Sequence, residues 1–159
     1  MPIGDGSPAA LAWDSGCVNE RVPVEAKEAG VERGFWEFEV QTVAAHREYV
    51  LRLHSDDGRM WSATGSNVFG CLLELRQELE RASIALACKG SREDTWASGM
   101  QVDMGQGLVV YLLSDVQSGE PPPEVRTLEP ADWDRIATVA QQTAWHEAWI
   151  SQRRQDGNH

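Results

Sequence analysis

The side chains of this chain with chemistry to offer are four histidines, three cysteines and one dense run of mixed charged, aromatic and methionine residues. The histidines, His46, His54, His146 and His159, stand apart from one another. None falls in an HxH or HExxH pattern, so no local element presents two imidazoles to a metal. Trp145-His146-Glu147 lacks the second histidine that a zinc-protease helix requires. His54 precedes a turn and is expected to reach Asp56 as a local contact rather than as a catalytic dyad. Cys17, Cys71 and Cys88 include no CxxC pair, so the pattern holds neither a zinc ribbon nor a thioredoxin-like site. Cys71 and Cys88 lie in apolar runs and read as small buried hydrophobes. There is no GxSxG elbow and no P-loop. Gly105-Gln106-Gly107 precedes a strand, whereas a dinucleotide fingerprint follows one. Asp56-Asp57-Gly58 is too short for a calcium loop and reads as a turn. The expectation is a protein without metal or cofactor, in a binding or inhibitory role rather than a catalytic one.

What remains is the segment KGSREDTWASGMQVDMGQG, residues 89–107. It carries Arg92, Glu93, Asp94, Trp96, Ser98, Met100, Asp103 and Met104. A connection this long without its own secondary structure is usually functional or disordered. Mixed charge beside an indole and two soft thioethers suits an adaptable recognition surface. A second reading stands beside it: Trp96, Met100 and Met104 fold inward to plug the core edge, while Arg92 and Asp94 pair internally. In a third the segment is a lid over a ligand, with Arg92 anchoring an anion and Asp94 or His54 acting as base.

These residues need elements to position them. Residues 1–33 are rich in Gly, Pro, Ser and charge and are expected as an irregular lead-in, pinned by Trp13 or by Val22 and Val24. Trp36, Phe38 and Val40 alternate with Glu37, Glu39 and Gln41, the pattern of a half-buried strand. Tyr49, Leu51 and Leu53 repeat it, Asp57-Gly58 supplies a hairpin turn, and a third strand returns over 59–64. Ser66 is the expected N-cap of a helix running to Arg81, with Val68, Leu72, Leu75 and Leu79 as its apolar stripe, widened by Phe69 and Leu73. Residues 83–88 and 108–113 read as two central strands. Pro121-Pro122-Pro123 is a stiff spacer. A last helix is expected from Pro130 at its first turn to about Ser151, with a frayed tail over 153–159. Its core stripe is Ile136, Val139, Ala140, Thr143 and Ile150. Trp145 and Trp149 project roughly opposite, either buried against the N-terminal segment or forming a second contact surface that pairs two copies. The sum is an α+β domain over residues 34–152, in the order βββαββα, with a mainly antiparallel sheet of about five strands and two helices on one face.

Charge narrows the partners. The formal net charge is −11, from 25 acidic against 14 basic residues. That disfavours nucleic acid, which needs a basic footprint to release counterions, and an anionic membrane surface. It suits a basic protein partner, since complementary fields speed encounter. Seven tryptophans add material for binding hot spots. The first residues show no basic start followed by an apolar stretch, so a reducing cytoplasm is the expected location.

Residues 88–107, with the spacing R-x-D-x3-SGM-x3-MG-x-G, resemble a segment of small uncharacterised bacterial proteins. The helix Phe69 to Glu80 (FGCLLELRQELE) and the run Thr138 to Gln142 (TVAQQ) resemble segments of the same proteins. The similarity covers roughly residues 48–150 and implies no catalytic residue. Size, charge and class are also similar to immunity proteins of bacterial toxin systems, by analogy of fold class alone. The leading expectation is therefore an inhibitor, monomeric or homodimeric, that neutralises a basic toxin domain through Arg92, Glu93, Asp94, Trp96 and Met100.

Overall fold

The computed structural model describes residues 17–43, 48–116 and 119–157. Strand β1 (Cys17–Glu28) pairs with β2 (Val31–Val43), which pairs with β3 (Glu48–His54) and then β4 (Met60–Gly65). Helix α1 (Val68–Arg81) crosses back, and β5 (Ile84–Ala87) joins the far side of β1. The order of this five-stranded antiparallel sheet is β4-β3-β2-β1-β5. The α+β class and the five-stranded sheet are as expected, although the membership is not.

The lead-in expected over residues 1–33 is corrected from residue 17 onward; residues 1–16, and with them Trp13, lie outside the described residues. β1 belongs to the sheet because Val22, Val24 and Ala26 alternate toward the core, with Val24 and Ala26 buried. Pro23 obscures that alternation in the sequence, since proline cannot donate to a ladder. It falls in the part of β1 that β5 does not reach, where β5 pairs only with Glu25–Glu28. Ala29 and Gly30 both have positive φ, the backbone of a two-residue I′ hairpin turn.

The sheet buries one face. Trp36, Phe38 and Val40 of β2 and Tyr49, Leu51 and Leu53 of β3 meet Val68, Cys71, Leu72, Leu75 and Leu79 of α1. Each of those leucines contributes about 1.5–3 kcal/mol over its exposed state. The cap of α1 is Asn67 rather than Ser66: its Oδ1 accepts from Gly70 N at 2.7 Å. Phe69, one turn round from the main stripe, seeds a second cluster with Ala97 and Val110.

That second cluster belongs to a second sheet. The apolar run at 108–113 does not join the first; it forms β7 (Val109–Leu112), between β6 (Thr95–Trp96) and β8 (Glu124–Arg126). Between β6 and β7 lies the short helix α2 (Gly99–Asp103). Residues 89–107 therefore carry a 3-10 turn at Lys89–Ser91, a strand and a helix, not an unstructured loop. The last helix, α3 (Val139–Gly157), begins later and ends later than expected. Asp132 caps a 3-10 turn at Trp133–Arg135, and Thr138 with Gln141 forms the capping box that starts α3. The tail expected to fray is helical through Gly157. α1 covers the sheet face, and α3 makes its main contacts with α1 and β6. Among the described residues no helix is long and apolar enough to cross a membrane.

Candidate functional site: an aromatic pocket beside two exposed methionines

The segment after β5 is held by a buried polar hub. Arg76 of α1 and Gln142 of α3 are both buried. Arg76 donates to Gly90 O, Ala137 O and Gln142 Oε1. Gln142 Nε2 donates to Thr95 O at 2.9 Å and Gly90 O at 3.0 Å. Thr95 Oγ1 closes the set by donating to Lys89 O at 2.8 Å. Burial holds the Arg76 guanidinium below its ordinary range, against the pull of Cys88 and Glu80. Residues of α1, of the 88–107 segment and of 138–142 thus meet at this hub.

Arg92, Glu93 and Asp94 are brought together, but with internal partners. Arg92 grips Asp94 through two bonds at 2.8 and 2.7 Å, and Ser114 Oγ donates a third to the same carboxylate. Arg135 lies 3.8 Å from Asp94 and pairs with Glu93 at 3.0 Å. Burial pushes the Asp94 carboxyl up, but Arg92 and Ser114 outweigh it and hold the group below the usual carboxylate range. Of the readings made from the sequence, internal pairing describes Arg92 and Asp94. The anion anchor of the lid reading is thereby engaged.

Trp96 and Trp149, from the two surfaces named separately, line one pocket. Trp149 lies on the inward side of α3, near Gln142, instead of opposite the core stripe, and Ala140 from that stripe is exposed. Three turns of helix bring residues 139, 142, 146 and 149 onto one face, so indole and amide share it. The pocket holds about 200 Å³ between Trp96, Tyr111, Leu113, Pro122, His146 and Trp149. Its floor is layered: the Trp96 indole stacks on His146 at 4.5 Å and 8°, and meets the edge of Phe69 at 5.2 Å. Burial pushes the His146 pKa down against the opposing pull of Glu147, so the ring is neutral at pH 7. Trp145 is half-buried and does not line this pocket. Among the described residues Trp149 faces Trp96, Tyr111 and Pro122; residues 1–16 of the N-terminal segment expected to cover it lie outside the described residues.

Ser98 links pocket and helix. It lines the pocket and N-caps α2, in a capping box with Gln101. α2 turns Gln101 inward, where its amide donates to Glu124 at 3.0 Å. The same rotation turns Met100 and Met104 outward; they are 71% and 79% exposed. Asp103 is exposed between them, and Leu108 beyond them is 38% exposed. Of the second reading's inward plug, only Trp96 is drawn in; Met100 and Met104 stay outside. Tyr111 and His146 are site members that the sequence reading missed. Their only sequence signal was apolar character in a strand and a histidine one turn from Trp149.

His54 bonds Glu39 at 2.9 Å on the open sheet face, not Asp56, which accepts from Trp36 Nε1 at 3.1 Å. Strand pairing explains the difference, since β2 lies beside β3 and brings the odd-numbered glutamates across. Cys71 and Cys88 are buried thiols. His46 and His159 lie outside the described residues, and among those residues no group of three His, Cys, Asp or Glu could hold a metal. No protein-family model matches the chain, and no curated sequence is significantly similar to it.

Proposed function

We propose that this protein is an inhibitor of the immunity type, which binds a basic toxin-like domain in the cytoplasm through the face formed by α2 and the aromatic pocket. One observation carries the reading: Met100 and Met104 are exposed on and just after α2, whose N-cap Ser98 lines a preformed apolar pocket. Exposed thioethers on a short capped helix can repack against an irregular partner, and an adjoining pocket can seat one anchoring side chain. The net charge of −11 supports a basic partner by steering its approach. Arg92 and Asp94, engaged with each other, act in this reading as the support of the face instead of its contacts.

The test is co-expression with the protein encoded beside it. Protection from that neighbour's toxicity, and a complex that survives gel filtration, are the expected results. The double variant Met100→Ser/Met104→Ser, which alters only exposed side chains, is expected to weaken the complex by more than about tenfold. A neighbour that neither binds nor is neutralised overturns the proposal. So does full binding by the double variant together with Trp149→Ala.

A further inference from the structure

We propose that the outer edge of β4 is a self-association surface, on which a second copy of this chain pairs antiparallel about a two-fold axis through Ser62. Among the described residues, β4 has β3 as its only strand neighbour. Its sequence, MWSATG, carries no charge and no proline, and its register with β3 runs unbroken from Met60 to Gly65. Charge, proline and bulges are the devices by which edge strands are kept from pairing. By contrast, the outer side of β5 is engaged by the chain itself, through the Cys88–Pro130 bridge and the bond from Ala131 N to Ala87 O.

The hydrogen-bond phase of the edge decides the register. Ser55 N donates to Arg59 O at 2.9 Å, which makes 55/59 a bonded pair of the β3–β4 hairpin. Bonded pairs alternate, so Trp61, Ala63 and Gly65 spend their backbone groups on β3, while Met60, Ser62 and Thr64 aim theirs outward. An antiparallel copy centred on Ser62 sets Met60 against Thr64 of the second copy, Ser62 against Ser62, and Thr64 against Met60. Those are three pairs, each exchanging two hydrogen bonds, and they use every outward group of the strand. No other centre on this strand does so.

Side chains fit the same register. Trp61 falls opposite Ala63 of the second copy, a large group against a small one, on the face where both already pack against the core. The pairing would carry that core across the joint. On the open face the cross-strand partners are Met60 with Thr64 and Ser62 with Ser62, without charge. Within the paired residues 60–64 no charged side chain stands opposite another, despite the acidity of the whole chain.

Sedimentation of the full chain between about 5 and 500 μM, with amide exchange at both ends of that range, tests the proposal; a single strand pairing is a small interface and associates weakly. A concentration-dependent dimer is expected. Exchange at Met60, Ser62 and Thr64 should slow by about tenfold or more at the upper end, while Trp61, Ala63 and Gly65 change little. Ser62→Lys places two ammonium groups against each other at the axis, and Ser62→Pro removes only an outward N–H. Each should lower association at least about tenfold with the fold retained. A monomer throughout overturns the proposal, as does a dimer with those three amides unprotected or one that Ser62→Lys leaves intact.

Discussion

Gln142→Leu probes the element on which the candidate face rests. Gln142 is buried, 66 residues in sequence from the arginine it accepts from, and its amide also ties Gly90 and Thr95 to α3. Leucine nearly matches glutamine in volume, so the change opens no cavity and isolates the polar terms. Losing a bond from a charged donor costs about 1.5–3 kcal/mol, and a buried carbonyl left without its donor costs about 1–3 kcal/mol. Gly90 O keeps Arg76 as a donor at 3.4 Å, so only Thr95 O loses its amide partner outright. The expected loss is about 3–5 kcal/mol, a large share of a typical domain stability of about 5–15 kcal/mol. Urea unfolding followed by tryptophan fluorescence and far-ultraviolet circular dichroism measures it. Arg76→Met removes the buried cation itself. The double variant should then recover about 1–3 kcal/mol relative to the sum of the singles, because an apolar pair leaves no orphaned charge. A loss under about 1 kcal/mol for Gln142→Leu, or strict additivity of the two changes, refutes the hub as the anchor of residues 89–96.

Asp94→Asn is expected to cost about 2–4 kcal/mol at pH 7 by leaving Arg92 without its buried partner. Because the folded Asp94 pKa lies below its unfolded value, that stabilisation is present above about pH 4 and lost as pH falls through the unfolded pKa toward the folded one. The gap between wild type and variant in urea midpoint should therefore narrow from pH 5 to pH 3; a constant gap counts against the pair. Cys71, its thiol pushed up to about 11 by burial, and Cys88, pushed up likewise, should resist a thiol reagent at pH 8 until the chain unfolds. Peptide mass mapping reads this, and rapid native labelling of either would contradict the packing. Gly107→Ala sets a Cβ 2.6 Å from Asn67 Oδ1 and 2.7 Å from Phe69 N at a φ of +70°. A loss of about 2–4 kcal/mol is expected in thermal unfolding. Gly99→Ala, with open space around it, should cost far less.

Local patterns carried much of the fold. The alternation in β2 and β3, the Asp57-Gly58 turn and the 3.6-residue stripe of α1 were legible because each reports which side of its own segment is buried. Acidity was equally plain, since charge is additive along a chain. Less legible was β1, where Pro23 and a charged tip mask three alternating apolar residues.

What the sequence could not contain was the neighbour of each buried face. An apolar run such as residues 108–113 demands a partner but does not specify which sheet supplies it, and Phe69 on α1 draws it into a second one. The fate of polar residues was further from reach. Arg92 and Asp94 look alike whether they meet a partner or each other, and Ser114 and Arg135 decide it from 20 and 41 residues beyond Asp94. Segment composition named Trp96 and helical spacing named Trp149, as two separate surfaces. Only the docking of α3 on β6, fixed by the buried bonds of Gln142, made them walls of one pocket.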